Sequence, residues 1–182
     1  MSTPTDRERR ILFESGRWDV VELLTETDDA IKRAKTRQRG DTGFEVDGQK
    51  FYRLDTANGI ELRPGPGEDV TETVTWPTVR RIAAEVPGEL RTRLAEHRVR
   101  SRQHQADYPL FAASKAAVGC GNPWAWVRPL TERQACYEAE YNAWLTGPLR
   151  EWRAGRERLD AECEELLTAA LLDLEPVQGA LW

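Results

Sequence analysis

The chain has 182 residues, of which 40% are hydrophobic and 31% charged, with a net charge of −5. That length supports one domain with a sizeable core, and the composition is that of an ordinary, slightly polar globular protein. No apolar run approaches the ~18–20 residues that a membrane span needs, and the charged first ten residues lack the apolar stretch of a signal peptide.

A cytoplasmic protein without membrane contact is therefore expected. Cys120, Cys136 and Cys163 are odd in number and widely spaced, which suits reduced thiols better than a disulfide frame. No Cys-x-x-Cys and no close histidine pair is present, so no metal is expected. No phosphate loop, dinucleotide fingerprint or nucleophile elbow points to a cofactor. The basic residues are nearly all Arg, with Lys only at 32, 35, 50 and 115. That bias suggests a GC-rich bacterium, phage or plasmid.

The predicted elements begin with a short helix, capped by Thr5 or Asp6 and docked by Ile11, Leu12 and Phe13. A longer helix is expected from Arg17 to Arg39. Val20, Leu23, Leu24, Thr27, Ile31 and Ala34 follow its 3-4 spacing, with Asp28–Lys32 and Asp29–Arg33 as i,i+4 ion pairs. Its end carries Lys32, Arg33, Lys35, Arg37 and Arg39 with no acid among them.

Residues 43–75 read as a small antiparallel meander of three or four strands. Asp47-Gly48 is a type I′ hairpin signal, and Thr56 to Gly59 is a second turn. Thr75 then caps a helix with Pro77 in its first turn. Val79, Ile82, Ala83 and Val86 line one face of it, and Pro87-Gly88 stops it. The next helix, to His104, places Leu90, Leu94 and His97 on one face. Arg91, Arg93, Arg98, Arg100 and Arg102 cover much of the rest. From Arg80 to Gln103 seven Arg face three Glu, a local charge of +4 in an acidic chain.

Beyond His104, a helix starting near Thr131 carries Tyr137, Tyr141 and Trp144. A last helix over 149–174 has a seam of Leu149, Trp152, Arg156, Leu159, Cys163, Leu166 and Ala170. Its early turns are basic and its late turns acidic, against the helix dipole. The expected fold is a single α+β domain over 1–182. It is mainly helical, with helices over 5–39, a small sheet over 43–75, helices over 77–104 and 131–174, and a long C-terminal helix.

Two surfaces stand out. The Lys32–Arg39 and Arg91–Arg102 cations suit phosphate contacts, with Tyr52, Trp76, Trp124 and Trp126 available for base stacking. Alternatively, these cations pair with the acidic end of the last helix. The 149–174 seam suits a protein partner or packing within the chain. A non-enzymatic binding protein acting through protein contacts, with nucleic acid as a second ligand, is the leading expectation.

The alternative is an enzyme. Arg91 precedes His97, and Arg98 precedes His104, by the same interval. This spacing resembles the Arg-to-His signature of HEPN-type ribonucleases. The resemblance implies RNA cleavage by Arg98 and His104, the His as acid or base beside a cation on the phosphate. Thr92 and Val99 stand where that family prefers Asn, His or Asp.

Overall fold

The computed structural model describes residues 4–36, 42–114 and 130–173. Expectations for Arg37, Arg39, Cys120, Trp124 and Trp126 fall outside these residues. The fold is α+β, mainly helical, with a four-stranded antiparallel sheet and a long C-terminal helix.

Helix α1 spans Asp6–Glu14. The Thr5 hydroxyl accepts from the Glu8 N–H, and the Glu8 carboxylate accepts in return from the Thr5 N–H. This reciprocal cap satisfies two donors that the first turn leaves open. Ile11 and Leu12 are fully buried.

The expected long helix is two. Helix α2 is Arg17–Thr25 and helix α3 is Thr27–Thr36. Glu26 leaves helical geometry at φ −129 and ψ 50, and the Thr25 hydroxyl donates back to the Val21 carbonyl. The break preserves the apolar spacing on either side, so Val20, Leu23, Leu24 and Ile31 are all buried. The ion pairs differ from the expected i,i+4 set. Asp28 accepts from Arg80, Asp29 from Lys32, and Arg33 reaches back to Glu22 and Glu26.

Strands β1 (Thr42–Val46), β2 (Gln49–Asp55), β3 (Gly59–Arg63) and β4 (Glu72–Thr75) form a meander in sequence order. Asp47 at φ 52 and Gly48 at φ 77 make the hairpin turn, pairing Val46 with Gln49. Gly59 is required by space: a Cβ there would stand 2.3 Å from the Val74 carbonyl oxygen. Phe51, Ile60, Leu62 and Val74 give the buried face of the sheet.

Helix α4 spans Trp76–Glu85, capped by the Thr75 hydroxyl, which accepts from the Thr78 N–H. Trp76 is 2% exposed. Its indole N–H donates to the Thr56 carbonyl and its backbone N–H to that of Asn58. One residue thus ties the second turn of the sheet to the start of the helix. Val79, Ile82, Ala83 and Val86 are buried as their spacing requires. A fully buried side chain of this size contributes about 1.5–3 kcal/mol.

Helix α5 is Gly88–Ala106, α6 is Leu130–Thr146 and α7 is Pro148–Leu171. The chain forms two compact units. One holds residues up to Val99 together with those from Ala161 onward, and the other holds Arg100–Asp160. In the first unit Cys163, Leu166, Leu167, Ala170 and Leu171 of α7 belong to the same core cluster as Val20, Leu24 and Ile82. Among the described residues no helix is long and apolar enough to cross a membrane.

Candidate functional site

The expected basic residues fall into different roles. In the first unit, Arg98 is 8% exposed and chelates two carboxylates. Its Nη2 lies 2.9 Å from Glu22 Oε1 and its Nη1 2.6 Å from Glu26 Oε1. Arg33 Nη2 meets the other oxygens of the same pair, at 3.2 Å from Glu22 and 3.3 Å from Glu26. Two guanidiniums and two carboxylates therefore form a closed network. Burial pushes the Glu22 carboxyl upward, but Arg98 and Arg33 outweigh it and hold it below its ordinary value. Glu26 is also lowered, chiefly by its hydrogen bond from Arg98.

Arg91 has a different task. Its Nη2 donates to the carbonyls of Ala83 and Val86, closing the C-terminal end of α4. Lys32 is exposed with Asp29 at 3.4 Å, and Lys35 and Arg93 are exposed. Arg100 and Arg102, in the second unit, are exposed as well. The carboxylates that Arg33 and Arg98 pair with lie on and just after α2, not on the acidic end of α7. Trp76 is buried and has no free face for a base, whereas Tyr52 is half-buried with the Lys50 ammonium 5.6 Å from its ring centroid.

A second ionic group was not anticipated. Arg53 and Asp55 alternate with Tyr52 and Leu54, so they share the core-facing side of β2 with Phe51. Arg53 is 1% exposed and binds Asp55 through two hydrogen bonds, Nε at 2.7 Å and Nη2 at 3.1 Å. Its Nη1 donates to the Ser15 carbonyl and hydroxyl. A cavity of about 30 Å³ adjoins this pair, lined in part by Asp19, Glu22, Arg33, Arg53 and Asp55. That volume suits about one water, not a substrate.

The two histidines have different surroundings. His97 is fully buried, with Nδ1 3.5 Å from Glu162 Oε2. In the second unit, His104 stacks on Trp152 with centroids 5.0 Å apart and planes at 11°. His104 Nε2 lies 3.0 Å from the Trp152 carbonyl, and the Trp152 indole N–H donates to the His104 carbonyl at 2.8 Å. A carbonyl only accepts, so Nε2 carries the proton in this contact. Gly155 makes the stack fit, since a Cβ there would be 2.7 Å from the imidazole. Arg98 and His104 thus each have partners of their own.

The second unit also carries an exposed aromatic surface. Phe111 is set edge-on to Tyr137 at 5.5 Å and to Tyr141 at 5.3 Å, and tilted against Trp144 at 5.6 Å. The Trp144 indole N–H donates to the Pro109 carbonyl, which fixes the ring. Leu110 is 83% exposed, Tyr137 41% and Tyr141 38%. Beside them opens a concavity of about 540 Å³, bounded by Leu110, Phe111, Ser114, Glu140, Trp144 and Pro148 among others. The Ser114 N–H donates to Glu140 Oε2 at 2.7 Å and its hydroxyl donates to Oε1. The Ser114 hydroxyl, followed by its N–H, holds the Glu140 carboxyl below its ordinary value.

Among the described residues no group of three or more His, Cys, Asp or Glu is placed to hold a metal ion. In comparisons with known proteins the chain matches no family model, no curated protein and no solved structure.

Proposed function

We propose that the chain is a non-enzymatic interaction protein that works through protein contacts made by the aromatic surface of its second unit. The observation that supports this reading is the exposed side chain of Leu110 next to the Phe111, Tyr137, Tyr141 and Trp144 rings. Contiguous exposed apolar surface costs solubility and marks contact sites. Tyr and Trp are also the side chains that dominate binding energy at interfaces. The 149–174 seam is a weaker candidate for that contact, because Cys163, Leu166 and Ala170 are used in the chain's own core.

Contact with nucleic acid is a second reading, favoured by the exposure of Lys35, Arg93, Arg100 and Arg102. It has fewer cations than the sequence suggested, since Arg33, Arg91 and Arg98 hold the fold together. Ribonuclease chemistry at Arg98 and His104 has the least support, given the partners both side chains already have.

The test is recovery of partners from the native host after nuclease treatment, with wild type, Leu110→Asp and Arg93→Glu compared. Protein contacts through the aromatic surface predict a nuclease-resistant set that Leu110→Asp loses and Arg93→Glu keeps. The opposite pattern favours nucleic acid.

A further inference from the structure

The pocket beside the aromatic cluster is acidic as well as apolar. Among the described residues Glu140 is the one charged side chain lining it, and the hydrogen-bond donors to it there, Ser114 and Cys136, are neutral. The carboxylate is therefore positioned by described residues that do not neutralise it. The lining stretches 110–114 and 140–148 carry Glu140 and neither Lys nor Arg, with Lys115 and Arg150 lying beyond them in the sequence. Helix α6 ends at the pocket, with Ala143 and Trp144 near its C-terminus and no basic residue in its last turn. Helix α7 begins at Pro148, also on the pocket wall, so the opposite partial charges of the two helix ends offset and Glu140 supplies the negative charge. Indole faces attract cations in the same sense.

We infer that this pocket takes a cationic side chain, Arg or Lys, presented beside an apolar one on a segment of a partner protein. The inference rests on the interaction reading above and names the chemistry of the segment. The apolar side chain packs against Leu110, Phe111 and Trp144. The cation faces Glu140. An acidic segment meets repulsion from Glu140, so the site selects by charge as well as by apolar contact.

The probes are two capped dipeptides, Ac-Leu-Arg-NH2 and Ac-Leu-Glu-NH2, titrated into the full chain. The readout is the indole N–H resonance of Trp144, assigned with Trp144→Phe. Ac-Leu-Arg-NH2 is expected to shift this signal saturably, with half-saturation about fivefold below that of Ac-Leu-Glu-NH2, the scale of one exposed cation contact. Glu140→Gln is expected to erase most of that preference. The contrast between the two peptides on the wild-type chain decides the matter even if the variant folds poorly. Equal half-saturation by both peptides overturns the charge selection and leaves apolar docking standing. No shift with either peptide overturns the pocket. If Leu110→Asp then also leaves partner recovery unchanged, the interaction reading fails with it.

Discussion

Arg33 and Arg98 grip the same two carboxylates, so that a guanidinium from α3 and one from α5 are joined through Glu22 and Glu26. Both arginines belong to runs that look in the sequence like an outward basic face. Their partners sit at the end of α2, where the chain turns into α3. The network closes that corner and draws α5 onto it.

Removing Arg98 leaves Glu22 and Glu26 with Arg33 alone and takes away the more buried of the two cations. Arg98→Leu is expected to destabilise the chain by about 2 kcal/mol, the range for charged hydrogen bonds reduced by the solvent access of Glu26. Urea denaturation followed by circular dichroism measures this. A loss under about 0.5 kcal/mol, typical of an ordinary surface change, contradicts the role given to Arg98.

The same network sets a pH dependence. Glu22 and Glu26 have folded-state values below the ordinary 4.5, so the unfolded chain takes up protons first. Their contribution is fully present above that value and is lost as pH falls through the lowered folded values. The Glu22→Gln, Glu26→Gln double variant is expected to be less stable at neutral pH. It should also lose less stability than wild type on acidification below pH ~4.5. Parallel stability curves for the two proteins are inconsistent with this assignment.

Arg53 and Asp55 form a buried pair whose members depend on each other. Each single change, Arg53→Leu or Asp55→Leu, is expected to cost about 3–5 kcal/mol by leaving a buried charge alone. The double variant is expected to cost less than either single one. Additive losses in a double-mutant cycle are the contrary result.

His104 holds its own helix end against Trp152. His104→Ala is expected to lower stability by about 1–2 kcal/mol through lost stacking and one hydrogen bond. No RNA cleavage dependent on His104 is expected from the purified chain. Cleavage that disappears in His104→Gln while the fold persists restores the ribonuclease alternative.

Much of the fold is legible in the residues because local rules decide it. Thr5 and Thr75 cap, Asp47-Gly48 turns, and Val79 to Val86 bury at helical spacing, each within a few residues. The break at Glu26 is not legible, because the apolar spacing runs through it undisturbed. The ionic groups are harder still. Arg33 to Glu22 spans eleven residues and Arg98 to Glu22 spans 76, so their pairing is set by tertiary packing. Arg53 and Asp55 do leave a signal, an i, i+2 pair of opposite charge in phase with Phe51 on one strand face. The aromatic surface shows as Tyr137, Tyr141 and Trp144 on one helix, but Phe111 joins it from a separate segment.

The interaction claim is tested most directly by placing a photo-crosslinking phenylalanine analogue at Leu110 or at Arg93 in the native host. A discrete protein adduct from position 110, and none from position 93, is the predicted result. No adduct from position 110, with nucleic acid captured at position 93, contradicts it.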